Sequence, residues 1–423
     1  MDIIVRPKKE GLRGRFSVPG DKSISHRSVM LGALADGKTV ISGFLNSDDC
    51  FSTIRCFKAM GVRIETEDDN RKAIVHGVGP HGLKQPEKPL NVGNSGTTLR
   101  LLTGILAWQD FSCEIDGDLS IRGRPMKRVI EPLSLMGADI IGEKAPLVIN
   151  GRKLRAIEYA APIASAQLKS AVLLAGLGAD GETTIIEKNP SRDHTEIALK
   201  YFGADISREN SKIRLVPPKS LHAADIEVSG DISSAAFIIV AALILPGSAV
   251  TIANVNVNPT RTGLLTALKR MGADISTTNV KTICGEPTAD IIVRHSRLKG
   301  IEISGGIIPL MIDEIPAFTV AAAFADGVSA VRDAEELRVK ESDRIDAMSA
   351  ELSKMDADIE ATRDGLVIRG GKKLSGAALE SHGDHRVAMS LYIAALAARG
   401  ESVISGSECV GISFPRFYDT FSP

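Results

Sequence analysis

The chain has 423 residues, with Lys+Arg 51 against Asp+Glu 52 and a formal net charge of -1, so no bulk positive field is available to hold a polyanion and any anion site must be local. Hydrophobic residues at 43% and charged residues at 24% fit an ordinary globular chain with room for two or three domains, and aromatics at 4% leave too few rings for base-stacking surfaces, so no nucleic-acid partner is expected. The five cysteines (Cys50, Cys56, Cys113, Cys284, Cys409) include no C-x-x-C pair, which argues for a reducing cytoplasm and against a disulfide framework or thiolate zinc site. The start of the chain lacks the pattern of a signal peptide, and no apolar run reaches about 18 residues, so no membrane partner is expected either.

In chain order, the first predicted element is a strand at Ile3-Ile4-Val5. Helices rich in small apolar residues then recur: Ser25 to Ala35, Thr97 to Ala107, Ala166 to Leu177, Ser233 to Leu245, Ile315 to Ala325 and His385 to Ala398. They are apolar nearly all round, the mark of helices buried inside a domain. Each leads into a short strand: Thr39 to Ile41, Cys113 to Ile115, Thr184 to Ile186, Ala249 to Ile252, Ser329 to Val331 and Ser402 to Ile404. A second repeat interleaves with the first. Met60-Gly61-Val62-Arg63-Ile64 returns at Met136 to Ile140, Phe202 to Ile206, Met271 to Ile275 and, with Asp356 in place of the glycine, Met355 to Ile359. Each copy closes an amphipathic helix, such as Pro259 to Met271, through a left-handed C-cap.

The sixth unit is incomplete, because its second helix, Pro415 to Phe421, meets the end of the sequence. The N-terminal strand is left over, and the economical inference is that it completes that unit. The expected fold is α/β, with two similar domains of three repeat units each: a discontinuous domain of 1-20 plus 229-423 and an inserted domain of 21-228. A cleft between them is the expected ligand site.

Polar residues crowd the starts of the buried helices. Gly93-Asn94-Ser95-Gly96-Thr97-Thr98-Leu99-Arg100 is the clearest case. Two glycines and several hydroxyls at a helix start leave backbone N–H groups unshielded, and the helix end adds about half a positive charge. A capped helix and nothing more is the plainer reading. Gly20 to Arg27, Ser165 to Ser170, Ser229 to Ser234, Met311 to Pro316 and Gly383 to Arg386 repeat the theme with Lys22, Gln167, the carboxylates Asp313 and Glu314, and the pair His385-Arg386. Asp118 to Met126 holds Arg122 and Arg124 around a glycine, and Arg338 to Arg344 holds five charges in seven residues. Arginine forks suit carboxylate and phosphate. Glu341 with Arg344 also fits a surface i,i+3 pair, and Lys340 with Glu341 fits an acid/base pair. Gly77 to Gly82 matches G-x-G-x-x-G, but Pro80, Pro86 and Pro89 forbid the helix a dinucleotide would need. His382 and His385 lack a matching carboxylate or Cys motif, so no metal site is expected. The residues alone give a two-domain α/β enzyme for small anions, with acid/base candidates Lys22, Asp313, Glu341 and His385, and leave the reaction open.

The motifs Pro19 to Arg27, Gly93 to Arg100, Arg122 to Met126, Ser165 to Ser170, Arg338 to Arg344 and Asp384 to Arg386, in this order and across the whole chain, resemble the 5-enolpyruvylshikimate-3-phosphate (EPSP) synthase family, 3-phosphoshikimate 1-carboxyvinyltransferase. The resemblance implies the enolpyruvyl-transferase fold, an inside-out α/β barrel of βαβαββ units in each domain. It implies transfer of the enolpyruvyl group of phosphoenolpyruvate to the 5-hydroxyl of shikimate 3-phosphate in the shikimate pathway, by a cytoplasmic monomer with no metal or organic cofactor, and a target for glyphosate. By position, Lys22, Ser23, Arg27, Ser165, Gln167, Asp313 and Lys340 would hold shikimate 3-phosphate, with Ser191 a further candidate. Lys22, Gly96, Arg124, Gln167, Arg344 and Arg386 would hold phosphoenolpyruvate. Asp313 would be the base on the hydroxyl, Glu341 and Lys22 would carry protons, and His385 joins them as a catalytic candidate. Ala166 stands where many relatives carry a second serine, and Ile412 where many carry a lysine. UDP-N-acetylglucosamine enolpyruvyl transferase shares this architecture but typically carries a reactive Cys in a mobile loop, and Asp118 to Met126 has none. A non-catalytic anion-binding repeat protein is the alternative of another class.

Overall fold

The computed structural model describes residues 1–421. The chain divides into two compact units. The first joins Met1–Pro19 and Ser229–Thr282 with the chain from Pro287 onward, and the second is Gly20–Val228 together with Ile283–Glu286. The separate grouping of Ile283–Glu286 has no signal in the sequence. Each unit has its own hydrophobic core.

Each core is built on three helices that cannot face water. Ile232–Ile244 is buried at every position, because its sequence is apolar or small on all sides. Ile315–Phe324 and His385–Ala397 join it in the first unit; Lys22–Leu34, Gly96–Leu106 and Ala166–Gly176 do the same in the second. These bounds lie within three residues of the expected ones. No single helix among the described residues is long and apolar enough to cross a membrane; one pair, Gly305–Met311 with Ile315–Phe324, reaches that length only across a 110° bend.

Small mixed sheets surround these helices. In one, Leu90–Asn91 and Ser112–Asp116 run parallel, joined through helix Gly96–Leu106, and Leu147–Asn150 and Asp139–Ile141 extend it antiparallel. A parallel pair needs a crossover, and the buried helix supplies it. The amphipathic helices end as the sequence predicts: Gly61, Gly137, Gly203, Gly272 and Asp356 all have positive φ. The N-terminal strand pairs antiparallel with Ser402–Ser405, in register Ile3↔Ile404, and so completes the last sheet. The sequence reading did not place Leu221–His222 and Ile226–Glu227, which return to pair with Ala35–Ser42 and complete the first sheet of the second unit.

Two expected helices differ. Pro259 to Met271 is helical only over Gly263–Arg270. The Asn258 side chain accepts from the Thr260 N–H and hydroxyl, both at 2.8 Å, and this turn delays the helix. Pro415 to Phe421 holds a 3-10 turn at Tyr418–Phe421 in place of an α-helix. There Phe417 and Phe421 pack against Tyr392 and Phe414 against Phe417, and ring packing outweighs helix continuation.

Close helix packing in the second unit depends on Gly104. A Cβ there would stand 2.2 Å from the Ala171 carbonyl oxygen on the neighbouring helix. The expected outcome for Gly104→Ala is a loss of about 1–3 kcal/mol by overpacking, read as a lower urea midpoint at unchanged slope.

Candidate active site

In the second unit, the Asp21 carboxylate accepts from the Ile24 N–H at 3.0 Å and starts helix Lys22–Leu34. This puts Lys22 in the first turn, with Nζ 2.9 Å from Asp49 Oδ2. Arg27, one turn on, donates to the Ser23 carbonyl (3.0 Å), Thr195 Oγ1 (2.7 Å) and Ser170 Oγ (2.9 Å). Burial brings its pKa down to about 10, against the pull of Glu196 and Asp21. His26 Nδ1 lies 2.7 Å from Thr53 Oγ1, and burial pushes the ring down to about 3, so it is neutral at ordinary pH.

Ser95 caps the next buried helix, its hydroxyl accepting from the Thr98 N–H at 3.2 Å. A Cβ on Gly96 would lie 2.9 Å from Arg124 Nη1 and 3.1 Å from Arg100 Nη1. Two guanidiniums therefore converge on a helix start, at the one residue without a side chain to fill the corner. Arg124 Nη2 donates to Asn94 Oδ1 at 2.7 Å, and Arg100 Nη1 donates to Gln167 Oε1 at 2.7 Å. Gly96, Arg124 and Gln167 are thus brought together, with Arg100 between them. The local charge is positive and the helix end adds to it, which suits an anion.

Ser165 caps helix Ala166–Gly176, accepting from the Leu168 N–H at 3.3 Å. Beside it Lys169, fully buried, reaches Glu196 at 2.7 Å, Glu187 at 3.0 Å and the Ser191 carbonyl at 3.2 Å. The Ser191 hydroxyl donates to Glu187, so this candidate is committed to the buried ion cluster.

In the first unit the hub is Arg344, only 1% exposed. Its Nε donates to Asp384 Oδ2 at 2.8 Å, its Nη2 to Glu341 Oε2 at 2.6 Å and its Nη1 to Asp313 Oδ1 at 3.3 Å. Burial alone would lower its pKa, but the charges of Asp384, Glu341 and Asp313 outweigh burial and raise it. For Asp384 burial works upward, and Arg344 outweighs it and holds the carboxyl below the usual range. Asp384 also caps helix His385–Ala397, accepting from the Arg386 N–H at 2.8 Å. That cap sets His385, itself buried, and Arg386 in the first turn. Arg386 donates to the Asp313 carbonyl at 3.1 Å.

Two expectations are corrected here. Glu341 and Arg344 are not a surface pair, since the arginine is buried. Lys340 and Glu341 are not each other's partners: Lys340 Nζ bonds Glu336 Oε1 at 3.1 Å, while Glu341 bonds Arg344. The run Arg338 to Arg344 pairs largely within itself, Arg338 with Asp343 at 2.6 Å and Arg344 with Glu341, while Lys340 turns outside it. Chemically, Arg344 offers two carboxylates that can move protons and a fork that can take a substrate anion in their place. The sequence reading missed Asp49, Asp384 and Arg100 as site partners. The latter two stood inside quoted motifs, and Asp49, 27 positions from Lys22, had no local signal.

A sequence model of the family described as EPSP synthase (3-phosphoshikimate 1-carboxyvinyltransferase) matches residues 7–421. The chain belongs to the EPSP synthase family. It is 55% identical over 424 residues to the 3-phosphoshikimate 1-carboxyvinyltransferase of Thermoanaerobacter sp. (strain X514), covering 100% of this chain and 99% of the relative. It is 50% identical to that of Bacillus thuringiensis (strain Al Hakam), covering 98% and 97%. Among solved structures, EPSP synthase from Acinetobacter baumannii superposes with a TM-score of 0.88 at 46% identity, covering 99% of this chain and 97% of that one. The enolpyruvyl transferase NikO from Streptomyces tendae shares the fold at a TM-score of 0.79 and 17% identity, covering 99% and 96%.

The buried neutral His26 gives a pH test. Its folded pKa of about 3 lies below the unfolded value, so the unfolded chain binds the proton first as pH falls. Its contribution is intact above pH ~6.5 and shrinks by about 2 kcal/mol between pH 6.5 and 5. Urea unfolding at those two pH values should show this loss, and His26→Gln should lack that part of it.

Proposed function

We propose that the residues gathered around Gly96 and those gathered around Arg344 serve the reaction of the family. Family membership makes the reaction the transfer of the enolpyruvyl group of phosphoenolpyruvate to the 5-hydroxyl of shikimate 3-phosphate, with release of phosphate, in the shikimate pathway. In this reading Lys22, Ser23, Arg27, Ser165, Gln167, Asp313 and Lys340 hold shikimate 3-phosphate. Lys22, Gly96, Arg124, Gln167, Arg344 and Arg386 hold phosphoenolpyruvate. The observation that supports it most is that Asp313 and Glu341 share one buried guanidinium, Arg344, beside Arg386. A base and an acid are thereby held at an anion-binding fork.

The steps follow from that placement. Asp313 accepts the proton of the 5-hydroxyl as its oxygen bonds to C2 of phosphoenolpyruvate, and Glu341 delivers a proton to C3. The tetrahedral adduct then loses a proton from C3 to the Glu341 carboxylate and breaks the C2–O bond to phosphate, and Lys22 supplies the proton the leaving oxygen takes up. The arginines offset the carboxylate and phosphate charge throughout. His385, in the first turn beside Asp384, is the remaining candidate for proton transfer. The proposal extends to the finer architecture: three βαβαββ units per domain in an inside-out α/β barrel, domains at 1-20 plus 229-423 and 21-228, and a monomer working in the cytoplasm.

Phosphate release measured with each substrate omitted in turn should occur only when both are present. Asp313→Asn should lower kcat by about 10²–10⁴-fold, and full turnover by this variant would remove Asp313 from the mechanism. Glyphosate should compete with phosphoenolpyruvate. Gly96→Ala, whose methyl crowds Arg124 and Arg100, should weaken that competition and raise KM for phosphoenolpyruvate; unchanged activity at millimolar glyphosate in the unaltered enzyme would end the inhibitor proposal.

A further inference from the structure

Behind Asp313 and Arg386 lies a second buried polar chain in the first unit. Asp231, the cap of helix Ile232–Ile244, Ser233 in its first turn, Arg261 and Glu314 are all at least 95% buried. Arg261 Nη2 donates to Ser233 Oγ at 2.8 Å and to Asp231 Oδ1 at 3.2 Å. Since the Ser233 oxygen accepts from Arg261, its proton is directed onward, and it goes to Glu314 Oε1. Glu314 lies 4.0 Å from Arg261 and 3.9 Å from Arg386 Nη1, and its Oε2 has no hydrogen-bond donor among the described residues. At these distances the carboxylate attracts Arg386 without bonding it. Asp313 Oδ2 is likewise 3.9 Å from Arg386 Nη2.

We infer that Arg261 is a positioning residue for the enolpyruvyl transfer: through Ser233 it tethers the Glu314 carboxylate and keeps it from closing onto Arg386, so that this guanidinium keeps its charge for the substrate anion. The inference rests on the reading that Arg386 holds the phosphoenolpyruvate carboxylate. Without Arg261, Ser233 loses the donor that orients it and Glu314 loses one of its two cations. The nearest remaining cation is Arg386, and a buried carboxylate closes on it.

The test is steady-state kinetics of the full-length enzyme. Arg261→Met should raise KM for phosphoenolpyruvate about tenfold or more and leave KM for shikimate 3-phosphate within about twofold. Arg261→Met combined with Glu314→Gln should bring KM for phosphoenolpyruvate back to within about threefold of the starting enzyme, because a neutral amide cannot neutralise Arg386. Should Arg261→Met not fold, Arg261→Lys, which keeps the charge but not the fork, must show a smaller rise confined to phosphoenolpyruvate. An unchanged phosphoenolpyruvate KM overturns the inference, as does a parallel loss for both substrates that Glu314→Gln does not rescue. Arg386→Lys separates the two layers: if it leaves phosphoenolpyruvate KM unchanged, the site reading fails, whereas a rise there without one in the Arg261 variants sinks only the positioning role.

Discussion

The structure depends on one constraint: helices that are apolar on every side have to be buried along their whole length. Such a helix can show polar atoms only at its ends, and each end needs partners for its unpaired N–H groups. The chain meets this with side-chain caps at five of the six starts, Asp21, Ser95, Ser165, Asp231 and Asp384. The polar groups of each core are therefore gathered at helix starts, next to partial positive charges. Hydroxyls further along, such as Thr103 and Thr319, are spent on the carbonyl one turn back, so the polar groups left for chemistry lie near the starts.

The two units use that constraint differently. Around Gly96, Arg124 and Arg100 bond the neutral acceptors Asn94 and Gln167. Around Arg344, three carboxylates crowd a single guanidinium. Burying such a group is costly, and removing one partner of a buried pair costs about 3–5 kcal/mol, so the arrangement is a poor way to gain stability alone. It does hold Asp313 and Glu341 in fixed geometry, and it links the cap of one buried helix, Asp384, to the carboxylate preceding another, Asp313. Fold and chemistry share the same hydrogen bonds.

Much of this was legible in the sequence, because repeats and caps are local signals. The Met-Gly-Ala-Asp-Ile copies located the left-handed turns, and the small-residue runs located the buried helices to within a turn. The leftover strand at Ile3 to Val5 was placed by counting. What could not be read were pairings between distant residues. Nothing near Lys22 names Asp49, and nothing in Asn258 to Thr262 shows that Arg261 joins Ser233 and Asp231. The return of Leu221 to Glu227 was hidden because two-residue strands carry almost no alternation. The tail misled for a different reason: the repeat calls for a helix at Pro415 to Phe421, and packing on Tyr392 decides against it.

The central proposal is that Arg124 and Arg386 each contact phosphoenolpyruvate. It is tested most directly by KM for each substrate in Arg124→Lys and Arg386→Lys, one substitution in each unit. Both should raise KM for phosphoenolpyruvate by about tenfold or more and leave that for shikimate 3-phosphate nearly unchanged. A rise confined to shikimate 3-phosphate in either variant, or no rise at all, would contradict the claim.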